Sequence, residues 1–306
     1  MQPPKSPLTR DSLRAAAVLI KTCEGKSADA MVSRYQHMID EGRLPLARAP
    51  HQNTLSHWMN DPKLTPILRD WLVMTTLPFR VREVAAVADS TKLSQLRTAH
   101  SRLVDYAKDQ RPTARWMKAH VLIGVETLVV MSVLFSDSDS NDINHINGLI
   151  EAALPRFNLR FLLADKAYLS EDIIGMLWRK CIKAVIPVKS RWDPETKKVY
   201  YEPCKELADW YDSKPRRFDE FYRLRPKIEG LFSLVKRLAD GYCWSRGRPR
   251  EGPVSTAWEN ETLCKFIYMN LRTTVQLQEE TGIEIDYQLS SRFFPPPDEP
   301  LIQRDP

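Results

Sequence analysis

Apolar positions recur every three to four residues along the first quarter of the chain, then give way to short unbroken runs. Leu13, Ala17 and Ile20 predict a helix from Ser12 to about Cys23, and Ala30, Met31, Tyr35 and Met38 a second that stops near Gly42. After a proline-bearing loop, Asn53 or Thr54 is placed to cap a short helix carrying Leu55 and Trp58. Leu68, Trp71 and Leu72 mark a further helix from Leu64 to Thr76. From Val84 the period changes. Val84 to Ala88 is a run of strand type, and Trp116–Val125 and Leu128–Phe135 read as a hairpin joined at Glu126-Thr127. Ile143, Ile146, Leu149, Ile150 and Leu154 define an amphipathic helix capped by Asn141 or Asp142. Phe161–Ala164 is a buried strand, Ile173, Ile174, Leu177 and Trp178 place a helix over Glu171–Arg179, and Ala184–Val188 is a fifth strand.

The expected class is therefore α/β: a mixed sheet flanked by helices, preceded by a small all-helical region. The helical region spans 1–80, the α/β region 81–273 and an exposed tail 274–306, where Pro295-Pro296-Pro297 falls. Residues 1–10 hold three prolines and read as a loose leader to the first helix. Short helices with tight turns suit a helix-turn-helix DNA reader, and residues 1–80 carry eleven Lys/Arg against seven Asp/Glu. About thirty residues, from Ser190 to Asp219, follow the fifth strand, which leaves no room for a large inserted domain.

Composition narrows the chemistry. Hydrophobic residues make up 43% of 306, enough for a substantial core. Ten glycines against 22 prolines, with no P-loop and no G-x-G-x-x-G, give ATP or NAD chemistry no support. Cys23, Cys181, Cys204, Cys243 and Cys264 are odd in number and form no C-x-x-C, which suits a reducing cytoplasm and disfavours a zinc site. No signal peptide and no apolar run of about 18 residues is present, so no membrane association is expected. The net charge of +6 is concentrated: from Lys214 to Arg250 there are eleven Lys/Arg against four Asp/Glu. That basic field suits a polyanionic partner.

The same segment holds the main candidate site. Tyr222 to Lys236 reads Y-R-L-R-P-K-I-E-G-L-F-S-L-V-K. At about 100° per residue, Tyr222, Arg225, Glu229 and Lys236 fall within roughly 60° of one another, while Ile228, Leu231, Phe232, Val235 and Leu238 form a separate arc to bury. Pro226 fits a first helical turn, which puts Tyr222 and Arg225 at the helix start or before a kink. The plain alternative is a solvated face with an i,i+4 pair, Arg225–Glu229. Two more carboxylates stand out upstream. Asp89-Ser90-Thr91 closes the first strand run, and Asp165-Lys166-Ala167-Tyr168 closes the fourth. A carboxylate at the end of a buried strand must be solvated, paired or metal-bound.

The spacing Y-(2)-R-(3)-E-(6)-K resembles the signature of bacterial and archaeal insertion-sequence transposases of the DDE class, and D-S-T and D-x-(G/A)-Y resemble the surroundings of that family's two aspartates. The likeness covers roughly Val84 to Leu271. It implies a ribonuclease-H-like catalytic domain in which the first and fourth strands lie side by side and Asp89, Asp165 and Glu229 meet. It also implies two Mg²⁺ or Mn²⁺ ions about 4 Å apart, with Asp89 bridging both, Asp165 holding one and Glu229 the other. Tyr222, Arg225 and Lys236 would grip DNA phosphates, and Lys166 is a weaker addition. The implied activity is metal-dependent DNA cleavage and strand transfer at the ends of an insertion sequence, by a homodimer on DNA. Alternatives are a two-metal nuclease without strand transfer, or a DNA-binding descendant that has lost catalysis. Three other features have ordinary readings: Asp137, Asp139 and Asp142 as a solvated turn with a helix cap, His120 as a strand histidine, and Trp244 as core packing rather than a stacking platform for an unpaired base.

Overall fold

A computed structural model describes residues 10–95, 116–137, 139–188, 201–239, 242–243 and 255–282. These fall into two compact units. One comprises the described parts of Met1–Leu72, Leu93–Met117 and Val235–Tyr268, the other those of Val73–Lys92, Lys118–Leu234 and Met269–Pro306. No helix among the described residues is long and apolar enough to cross a membrane.

The first unit is helical: α1 (Arg10–Glu24), α2 (Ala28–Asp40), α3 (Gln52–Met59) and most of α4 (Leu64–Thr76). Ala17, Met31, Tyr35, Leu44 and Leu55 form its core, and the Tyr35 hydroxyl donates to Ala17 O at 2.6 Å. The cap of α3 differs from the expected Asn53 or Thr54. His51 Nδ1 accepts the Asn53 N–H at 3.2 Å, so the imidazole does the work of an Asx side chain and the helix starts earlier, at Gln52. The last long helix, α10 (Thr256–Thr281), contributes its first half to this unit. Asn260 Nδ2 donates to Met59 O and Asp61 O, Thr65 Oγ1 donates to Asn260 Oδ1, and Arg69 pairs with Glu259 at 2.6 Å. Deeper in, Lys265 Nζ lies 3.5 Å from Glu261, both side chains almost fully buried (1% and 2% exposed).

The second unit is a sheet flanked by helices. Its strands are β1 (Ala85–Gln95), β2 (Trp116–Gly124), β3 (Val130–Asp137), β4 (Phe161–Leu163) and β5 (Lys183–Val185), in the order β3-β2-β1-β4-β5. The end of β1 belongs to the first unit, and there Ser94 and Gln95 pair with a two-residue β6 (Tyr242–Cys243) of the same unit. β4 runs parallel to both β1 and β5. β2 and β3 are joined by a turn too short for a crossover and so run antiparallel. Glu83 closes that turn: its buried carboxylate accepts the N–H groups of Glu126 and Thr127 at 3.1 and 2.5 Å. Gly124 leaves room for it, since a Cβ there would lie 2.3 Å from the Glu83 carboxyl carbon. Between β3 and β5 come α5 (Ile146–Ala153) and α6 (Glu171–Arg179), and after β5 come α7 (Glu202–Ser213), α8 (Pro215–Tyr222) and α9 (Lys227–Leu238). α6 matches its expected span, with Ser170 accepting the Ile173 N–H as its cap. The outer edge of β3 is closed by the Asn270 side chain, which accepts from Val130 N and donates to Val130 O at 2.7 and 3.1 Å. This is the mixed α/β sheet flanked by helices that the sequence pattern implies.

Three expectations shift. β1 does not end at Asp89 but continues to Gln95, because Thr91 and Leu93 are buried in alternation beyond it. The single straight stripe of Tyr222, Arg225, Glu229 and Lys236 is broken where Pro226 allowed: α8 ends at Tyr222, α9 starts at Lys227, and Arg225 and Pro226 lie in the turn between them. The tail expected from 274 starts inside α10, where Thr274 and Thr281 hydroxyls donate to carbonyls four residues back. The leader at residues 1–9, Trp244 and Pro295-Pro296-Pro297 lie outside the described residues.

Candidate active site

The backbone sets the two aspartates side by side. Ala85, Ala86 and Val87 of β1 register with Phe161, Leu162 and Leu163 of β4. Asp89, further along β1, and Asp165, in the turn after β4, each stand two residues past the last registered pair, Val87 and Leu163. Each carboxylate is then turned by a local N–H. Asp89 Oδ1 accepts from Ser90 N at 2.8 Å, and Asp165 Oδ1 accepts from Ala167 N at 3.3 Å as the cap of a single 3-10 turn. The Oδ2 atoms of both are left to face a common cation, which is Arg225: its Nη2 lies 3.0 Å from Asp89 Oδ2 and 3.7 Å from Asp165 Oδ2. Arg225 Nη1 donates to Glu229 Oε1, completing a cluster of three carboxylates on one guanidinium. Arg225 Nε is buried without a hydrogen-bond partner.

Aromatic packing brings the turn of Arg225 over the two strand ends. Phe221 stacks on Phe161 of β4 with centroids 4.8 Å apart, and Trp210 of α7 meets both Phe218 and Phe221 edge-on. Lys227 Nζ donates to Val125 O at 2.9 Å and ties the start of α9 to the end of β2. Ile228, Leu231, Phe232 and Val235 are buried as the helical pattern requires, which leaves Glu229 outward, its side chain 57% exposed. Tyr222 ends α8 half-buried, its hydroxyl pushed above the ordinary tyrosine range by burial and by the negative charges of Asp165, Asp89 and Glu229. Lys236 is exposed in the last turn of α9, two turns past Glu229. Lys166 is exposed beside Asp165, in the 3-10 turn that Asp165 caps.

Electrostatically the site is starved of positive charge. Burial raises the Asp89 carboxyl above its usual range, and Asp142 and Asp165 push the same way. The Ser90 N–H and Arg225 oppose them without prevailing. Tyr168, buried behind the pair, is raised by burial and then by Asp142 and Asp89.

Asp142 is the residue that sequence reasoning passed over. Neither it nor Asn141 caps the following helix through its side chain. Asp142 Oδ1 instead accepts from Lys118 Nζ of β2 at 3.2 Å and lies 3.4 Å from His120 Nδ1. His120 is fully buried, pairs through Nε2 with Ser136 Oγ at 2.8 Å, and stacks on His145 at 3.9 Å. Burial, then His145 and Lys118, push its pKa down to about 4 against the pull of Asp142. The ring is therefore neutral, and its approach to Asp142 is a polar contact rather than an ion pair. The only sequence signal was the i,i+2 placement of Lys118 and His120 on one strand face.

Three carboxylates and no thiol or imidazole make a donor set for a hard divalent cation. Among the described residues no three acidic, His or Cys side chains are gathered closely enough to hold a metal ion by themselves. The cation they converge on is Arg225, so the donor set fits Mg²⁺ or Mn²⁺ in kind while a guanidinium engages its oxygens. A separate open cleft of about 440 Å³ is lined by Trp178, Cys181, Lys183, Glu206 and Trp210, among others, and by none of the four cluster residues.

A family model described as Transposase DDE domain matches residues 82–242, more than half of the chain. Among solved structures the chain is similar to piggyBac transposase in a synaptic complex with hairpin DNA, at 11% identity and a TM-score of 0.43, over 94% of this chain and 70% of that one. It is also similar to Mos1 transposase in a paired-end complex with the left transposon end, at 11% identity and a TM-score of 0.25, over 80% and 82% of the two chains. The Mos1 mariner paired-end complex with Mn gives 12% identity, a TM-score of 0.25 and coverage of 79% and 80%. No curated protein matches the sequence.

Proposed function

The chain belongs to the transposase DDE-domain family, and on that premise we propose that it cleaves DNA at the ends of its own insertion sequence and joins the freed strands to a target. The observation that carries this reading is the convergence of Asp89, Asp165 and Glu229 on one cation, two of them just past the paired residues of parallel strands. Asp89, Asp165 and Glu229 would hold Mg²⁺ or Mn²⁺, Asp89 being the most central of the three. Bound divalent ions supply the charge that activates an attacking hydroxyl and stabilises the leaving oxygen. The chain's own side chains place the DNA: Arg225, Tyr222 and Lys236 grip phosphates, the first as a bidentate fork. The basic stretch around them raises the local concentration of the polyanion. The N-terminal helices, residues 1–80, read the terminal repeats. A homodimer serves the two ends of the element.

The test is a duplex bearing the inverted repeats that flank the open reading frame, with binding and cleavage measured on the same molecules. Asp89→Asn and Glu229→Gln keep shape but remove charge that the ions need. Cleavage is expected to fall by several orders of magnitude, while metal-free binding holds or tightens as like-charge repulsion falls. Cleavage by Glu229→Gln at the wild-type rate overturns the assignment.

A further inference from the structure

We infer that Arg225 has a second role: it is the site's internal counter-cation, holding the three carboxylates until a DNA phosphate draws it away and releases them to divalent metal. The inference rests on the reading of the triad given above and adds a coupling to it.

The competition is atom for atom. On both aspartates Oδ1 is engaged by a backbone N–H, so Oδ2 is the oxygen left for a cation, and both Oδ2 atoms face Arg225 Nη2. Glu229 is engaged through Nη1. A metal ion that binds both aspartates through Oδ2 needs the oxygens the guanidinium now occupies. Two features make Arg225 a displaceable occupant. One positive charge faces three carboxylates, so the cluster stays net negative and still attracts a divalent ion. The guanidinium is also incompletely satisfied, since Nε is buried with no partner. A phosphate offers a planar fork two well-directed acceptors. Arg225 stands in the turn between α8 and α9, ahead of Pro226, so its side chain can leave without unwinding either helix. Phosphate binding therefore frees the carboxylates, and metal binding frees Arg225. By linkage each tightens the other to the same degree.

Mn²⁺ binding to the full chain, followed by the paramagnetic resonance of the free ion, tests this. Without DNA, wild type is expected to bind weakly and Arg225→Gln roughly tenfold more tightly, within the usual range of such couplings. A short duplex at low salt is expected to tighten Mn²⁺ binding by wild type and to change Arg225→Gln much less. Equal Mn²⁺ affinity of the two proteins without DNA overturns the inference. Asp89→Asn, in either background, separates that outcome from failure of the site: weaker Mn²⁺ binding keeps the triad as the metal site, and indifference to Asp89→Asn overturns the triad reading itself. If Arg225→Gln does not fold, with three carboxylates left facing one another, Arg225→Lys keeps a charge without the fork. It is expected to bind Mn²⁺ several-fold more tightly than wild type, and no change there also overturns the inference.

Discussion

Glu261–Lys265 in the helical unit and the Arg225 cluster in the sheet unit are both ion clusters inside a fold, built in opposite ways. The first is one anion and one cation, four residues apart on one helix and sealed from solvent. The second is three anions around one cation, drawn from a strand, two turns and the start of a helix, with side-chain exposure from 17% at Arg225 to 57% at Glu229. The buried pair is closed to a ligand by its burial, at 1% and 2% exposed. The unbalanced, half-open cluster has unmet demand for positive charge and a route by which it can arrive. Stoichiometry and access, rather than burial alone, separate a structural ion pair from a site.

The largest effect that sharpens this contrast is expected at the sealed pair. Lys265→Ala leaves Glu261 buried without its ammonium and is expected to destabilise the fold by about 3–5 kcal/mol, whereas replacing both partners by apolar residues of similar volume restores most of that stability. Chemical denaturation reads both. If the double variant is no more stable than the single, the pair is not the closed, balanced unit described here.

The next effect is set by His120, another buried group beside the site. Its folded pKa lies near 4 against an ordinary value of 6.5. As pH falls through that window the unfolded chain takes up a proton that the folded chain refuses. Stability is thus full above about pH 6.5 and declines toward pH 4, by up to about 3 kcal/mol. His120→Gln, which can keep a hydrogen bond to Ser136, is expected to flatten the acid limb of a stability–pH curve. An unchanged limb would place the acid sensitivity elsewhere.

The smallest effect marks the opposite limit of the comparison, a pair that is neither sealed nor unbalanced. Arg69 and Glu259 meet at 2.6 Å with Arg69 41% exposed. Arg69→Ala is expected to cost less than about 1 kcal/mol, shrinking further in high salt. A loss comparable to that of Lys265→Ala would show that exposure does not grade these pairs.

Much of this architecture is local and was readable. The apolar run Phe161–Leu163 followed by an aspartate, and Ser170 ahead of Ile173, Ile174 and Leu177, each specify their own element and end. The four apolar positions that bury α9 are likewise fixed by its period alone. What failed to show was long-range or competed with a stronger local signal. Asp89-Ser90-Thr91 has turn chemistry, and only the burial of Thr91 and Leu93 keeps the strand going through it. Asp142 looks like a cap until β2 supplies Lys118 and His120 from more than twenty residues away. The pairing of Arg225 with Glu229 is an i,i+4 relation visible in sequence. Its simultaneous contact with Asp89 and Asp165 exists only once the register of β1 and β4 and the stacking of Phe221 on Phe161 are in place.

That register has a metrical consequence. Just before the aspartates the parallel strands β1 and β4 are spaced by the hydrogen-bond pitch of the sheet, about 4.8 Å. The gauge at the root of the cluster is thus cut by the peptide backbone, which no side-chain substitution can lengthen. Changes around Asp89 and Asp165 can alter how firmly Arg225 is held, but the distance between the two strands belongs to the pair itself.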